Sequence, residues 1–90
     1  MPIVLEELVG QAVVVDLRSP FVCLGTLRQF DDTWLDMRFA DFHDLRDTHT
    51  TRELYVAEAR ATGVKRNRKR LLLARADVVG IALLDDVLYG

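Results

Sequence analysis

The stretch "CLGTLRQFDDTWLDMRFAD", residues 23–41, decides the fold. A strand-forming run carries a glycine in its interior and ends at Phe30, before Asp31-Asp32-Thr33 and a second alternating run. Glycine inside a strand costs roughly 0.5–1 kcal/mol relative to alanine, so Gly25 marks a sharp bend or a close approach of another backbone. Asp31-Asp32-Thr33 has the composition of a turn. Beyond it, Leu35, Met37 and Phe39 alternate with Trp34, Asp36 and Arg38, the period-two signature of a strand with two unlike faces.

Upstream, residues 12–18 alternate Val13, Val15 and Leu17 against Val14, Asp16 and Arg18, which predicts another strand. Ser19-Pro20 turns the chain into residues 21–30. Before that strand, residues 2–11 read as a short helix. Pro2 suits the first turn, Glu6 and Glu7 the positive N-terminal end and Gly10 a C-terminal stop, with Leu5, Leu8 and Val9 on one face.

Downstream, the alternation breaks at Asp41 and a polar segment follows. Thr50 to Glu53 has the T-x-x-E spacing of a capping box, and Gly63 offers a stop, so a helix is expected over residues 51–62. Its apolar face is expected at Leu54, Ala57 and Ala61, with Tyr55 and Ala59 beside it; a strand over residues 53–57 is the alternative. The basic residues Lys65, Arg66, Arg68, Lys69 and Arg70 lead into "LLLARADVVGIALLDDV", two strands dividing near Ala76-Asp77.

Ninety residues fit one domain, 1–90, with an insert at approximately 41–70. A net charge of -2 argues against a chain-wide electrostatic grip on nucleic acid but leaves room for a local basic patch. The single cysteine, Cys23, permits no intrachain disulfide, and the start "MPIVLEELVG" lacks the basic region of a signal peptide. No apolar run approaches the ~20 residues of a membrane span. A soluble cytoplasmic chain is expected.

The order helix, three strands, helical insert, two strands, with a glycine-bent second strand, resembles the Sm/LSm/Hfq superfamily. Gly25, Leu27, Phe30 and Asp31 match its G-x-L-x-x-F-D motif in order and spacing, and "LARADVVGI" is similar to its second motif, with Arg75 in the arginine place. The resemblance implies a mainly β, five-stranded, strongly bent small barrel of SH3-like type with an N-terminal helix. It implies a homo-oligomeric ring of six or seven copies, fourth strand to fifth, that binds RNA or scaffolds a ribonucleoprotein. Asp36 stands where RNA-binding members have asparagine, and Ala76 where they have glycine. Asparagine offers a donor and an acceptor, whereas an ionised carboxylate only accepts and repels phosphate.

The RNA-binding candidates are therefore Trp34 as a stacking platform, Asp36, Arg75, and the run Lys65, Arg66, Arg68, Lys69 and Arg70, whose phosphate contacts would be salt-dependent. The same run also suits a solvated strand junction. An alternative function is an interaction module that has lost the RNA pocket and takes a protein partner through the helix at 51–62, which is too short to be stable with its apolar face uncovered. Asp41, His43, Asp44, Asp47 and His49 cluster without a metal-ligand spacing, so no metal is expected. With no P-loop, nucleophile elbow or H-E-x-x-H, neither an enzyme nor a cofactor is indicated. Cys23, inside a strand, reads as a buried structural thiol.

Overall fold

The computed structural model describes residues 4–18, 20–47 and 51–88. Five antiparallel strands follow one another: β1 (Ala12–Leu17), β2 (Phe21–Phe30), β3 (Trp34–Asp44), β4 (Arg68–Ala74) and β5 (Val78–Leu83). Their order in the sheet is β4-β3-β2-β1-β5, so β4 and β5 are its two outer strands. The expected mainly β fold is present as a bent sheet that is not closed by pairing between those strands. Among the described residues the expected N-terminal helix is a single 3-10 turn, Leu5–Leu8, after which Gly10 adopts a φ of 85°. Its backbone then joins β2, with the Gly10 amide donating to the Leu27 carbonyl at 2.7 Å.

Gly25 is where the sheet bends. A Cβ built there would lie 2.9 Å from the Ala40 Cα and 3.1 Å from the Arg38 carbonyl oxygen, so only hydrogen lets β3 approach this closely. The pairing register slips at the same place, between Leu24 opposite Asp41 and Thr26 opposite Arg38. The extra residue on β3 is a bulge at Phe39 and Ala40, and Phe39 takes a φ of 50°.

That bulge corrects the sequence reading at two points. The third strand does not end where its alternation breaks but runs on to Asp44. Phe39 does not join Leu35 and Met37 inside; it is exposed, and Ala40 takes the buried place. One extra residue reverses the facing of everything beyond it.

The sheet is apolar on both faces. On the concave side Val13, Val15, Leu17, Cys23, Leu27, Leu35, Met37, Ala40 and Leu73 form the larger core. On the other side Val14, Val22 and Leu24 are covered by Val56 and Ala59 of the helix α1 (Arg52–Thr62), with Leu84 completing the cluster. The expected helix is thus present, and the strand alternative at 53–57 is excluded. Its phase differs from expectation: Val56 and Ala59 face inward while Leu54 is 60% exposed. The cap is Thr51, whose hydroxyl accepts from the Leu54 amide at 3.2 Å; Thr50, assigned to a capping box, lies outside the described residues. A single turn at Arg75–Asp77 divides β4 from β5 as the sequence suggested.

Candidate functional site

The turn between β2 and β3 sets one end of the site. The Asp31 carboxylate accepts from the Thr33 and Trp34 amides, both at 2.8 Å, and these two bonds hold its pKa below the ordinary carboxylate value. A short polar side chain that satisfies two backbone donors fixes a tight turn. The turn is clamped from the other side by Arg75, which donates to the Asp31 carbonyl at 2.6 Å and lies over the Phe30 ring at 5.7 Å.

From that turn Trp34, Asp36 and Arg38 emerge on one face of β3, and β4 sets Leu72 opposite Asp36 and Arg70 opposite Arg38. Asp36 is 3% exposed and its carboxylate is fully engaged. Gln29 donates to it at 3.0 Å, the Arg38 guanidinium at 3.0 and 3.2 Å, and the Arg70 guanidinium at 3.4 Å from two nitrogens. The Arg38 hydrogen bonds, with those of Gln29 and Arg70, hold its pKa far below the usual range despite the opposing effect of burial. Two cations surround one anion, leaving the group with one net positive charge. Trp34 (43% exposed) and Leu72 (44% exposed) flank it, around a cleft of about 250 Å³ also lined by Gln29, Phe30 and Asp31.

The residues singled out from sequence are therefore only partly assembled. Trp34, Asp36 and Arg70 share this cleft, and Arg75 braces its rim. Arg38 and Gln29 were not expected in the site, although strand alternation already puts Arg38 on the Asp36 face. Lys65 and Arg66 lie elsewhere, on a separate cleft of about 540 Å³ bounded by Asp41, His43, Tyr55 and Asn67. The Lys65 ammonium is 3.7 Å from Glu58, and the Arg66 guanidinium sits over the Phe39 ring at 5.1 Å. Arg68 and Lys69 are exposed at the start of β4.

Asp41, His43 and Asp44 make contacts within the fold. Asp41, 3% exposed, accepts from the Tyr55 hydroxyl and from Asn67 at 3.1 Å, while His43 stacks on the Tyr55 ring at 4.3 Å. Asp44 is paired with Arg46 at 2.7 Å, Phe42 stacks on Phe21 at 4.7 Å, and His49 lies outside the described residues. Among the described residues no three His, Cys, Asp or Glu side chains converge as a metal site. Cys23 is fully buried, and burial, with the nearby Asp41 charge, pushes its thiol up to about 12. No described helix is long and apolar enough to cross a membrane.

No family model matches this sequence, and no curated protein does. Among solved structures the chain is similar to an Sm-like protein from Archaeoglobus fulgidus, with a TM-score of 0.59 over 92% of this chain and 99% of that one. The sequences are 18% identical, so the likeness is one of architecture. Together with the strand order and the bend at Gly25, it establishes that this chain has the Sm-like fold.

Proposed function

We propose that the chain is an Sm-like module whose copies join edge to edge through β4 and β5, and that the assembly binds single-stranded RNA over the Trp34–Arg38–Arg70 face. The observation that carries the RNA reading is the state of Asp36. A free carboxylate in that position would repel phosphate. Here two guanidiniums already neutralise it, and the surface beside the exposed indole is left cationic. An aromatic face with guanidiniums next to it stacks bases and offsets backbone charge without demanding one sequence. The edge-joining part is supported by the two unpaired outer strands, each with an exposed aliphatic side chain, Leu72 on β4 and Val79 on β5. Open edges of that kind invite pairing with a further strand. Six or seven copies closing a ring follow the superfamily resemblance.

Trp34 is the only tryptophan, so its emission reports directly on the proposed site. Titration with a labelled single-stranded RNA at low salt is expected to quench it and raise the label's anisotropy. Trp34→Ala should weaken binding by about 5- to 150-fold, the equivalent of the ~1–3 kcal/mol of one stacked base. An oligomer that binds no RNA at low salt would sink the RNA reading and leave the scaffold. In that case the helix is a poor docking surface, because its apolar side is already spent on the chain's own sheet.

A further inference from the structure

The fold divides the basic run among separate tasks. Lys65 faces Glu58, Arg66 covers Phe39, and Arg70 holds Asp36. Two cations remain: Arg68, which donates to the Asn67 carbonyl at 3.0 Å but meets no carboxylate among the described residues, and Lys69, which has no partner among them. Both open β4, one free edge of the sheet. At the other free edge, β5 runs directly into the turn Leu84–Asp86, where Asp85 and Asp86 are exposed and unpaired among the described residues. The unengaged cations of one edge thus match the unengaged anions of the other.

We infer that Arg68 and Lys69 of one copy meet Asp85 and Asp86 of the next, so that charge sets the register of the joint between copies. The inference rests on the edge-joining part of the proposed function and adds its partner surface, a second copy of this chain. Every strand pair of the sheet is antiparallel, so an added strand that continues the ladder runs antiparallel to the edge it meets. Centred on each other, with Leu71 of β4 against Gly80 and Ile81 of β5, the strands set Arg68 beside Leu83 and Leu84, immediately before Asp85 and Asp86. A parallel joint would carry those carboxylates to the far end of β4. β5 pairs with β1 alone, so its other edge is open to an incoming strand among the described residues. On the sheet face beside it, a Cβ on Gly80 would touch nothing within 4 Å, and a cleft of about 260 Å³ opens there beside Leu5, Val78 and Ile81. Because the two edges are different surfaces, the joint is head-to-tail and propagates to a closed ring or a filament. Opposite charges at its end favour the register that brings them together.

Sedimentation velocity on the full chain at low and high salt tests this. The variants are Arg68→Glu with Lys69→Glu, Asp85→Lys with Asp86→Lys, and all four changes together. Each reversed pair alone is expected to shift the oligomer toward monomer, weakening association by at least about tenfold. The fourfold variant should restore it, which also shows that the charges themselves, not a damaged fold, were responsible. Added salt should weaken the wild-type joint. An oligomer indifferent to both reversals, or a folded fourfold variant that stays monomeric, overturns the charge-matched joint and leaves edge joining standing. A wild-type chain that is monomeric at every concentration overturns edge joining and this inference with it.

Discussion

Two residues decide most at the smallest scale. At Gly25 the neighbouring backbone, rather than a special φ, excludes a side chain: the Ala40 Cα, 2.9 Å from where a Cβ would sit, is an atom that cannot swing away. Gly25→Ala should therefore cost about 1–3 kcal/mol by overpacking, read as a lower urea midpoint with an unchanged slope. An unchanged midpoint would mean that the bend relaxes freely. Asp36 decides the charge of the proposed site. Its carboxyl is far more acidic folded than unfolded, so its stabilisation is fully present above the unfolded value of about 3.9 and is lost as pH falls through the lower folded value. Asp36→Asn is expected to cost about 1.5–3 kcal/mol at neutral pH, the scale of hydrogen bonds to charged groups. Urea titrations at descending pH should show the gap between the two proteins closing below about pH 4. A gap that stays constant to the acid limit would show that the two arginines do not hold Asp36 ionised.

At the scale of elements, α1 is the part whose role changed most between sequence and structure. Its apolar residues run nearly around the helix, with Leu54, Tyr55, Val56, Ala57, Ala59 and Ala61 all available. Periodicity alone could not choose among such faces. Long-range anchors chose instead: the Arg52 guanidinium 3.0 Å from Asp16 on β1 and the Tyr55 hydroxyl on Asp41 of β3 rotate Val56 and Ala59 onto Val14, Val22 and Leu24. Val56→Asp should accordingly destabilise the chain by about 3 kcal/mol or more, since it buries an unpaired carboxylate. Leu54→Asp, on the exposed side, should stay within about 0.5 kcal/mol. Equal effects, measured by thermal or urea unfolding, would contradict the observed phase. The strands were legible for the opposite reason. Residues 12–18 alternate, residues 21–30 form a strand-forming run marked by Gly25, and the Asp31 turn is a local hydrogen-bond pattern that sequence can carry. The second half of β3 was not legible, because the bulge at Phe39 shifts the alternation in a way that only the partner strand reveals. The same limit hid the site: the meeting of Arg70 with Asp36 joins residues 34 positions apart.

At the scale of the whole molecule, the two cores are back to back on the same strands. Val13 and Val15 of β1 face the concave core while Val14 faces the helix, and on β2 Cys23 lies between Val22 and Leu24 in the same manner. Loosening α1 would bare Val14, Val22 and Leu24 to water, at a cost of about 1.5–3 kcal/mol for each fully exposed side chain. That is a large share of the 5–15 kcal/mol by which domains are ordinarily stable. The helical insert should therefore unfold together with the sheet. Cys23 supplies the probe. Its thiol is fully buried, with a pKa pushed up to about 12, so almost no thiolate exists at mildly alkaline pH while the fold holds. Labelling by a thiol reagent is expected to track the loss of helical circular dichroism across a urea series, with one shared midpoint. Helix loss at lower urea, with Cys23 still protected, would show that the sheet stands without its insert and that α1 is a separable attachment.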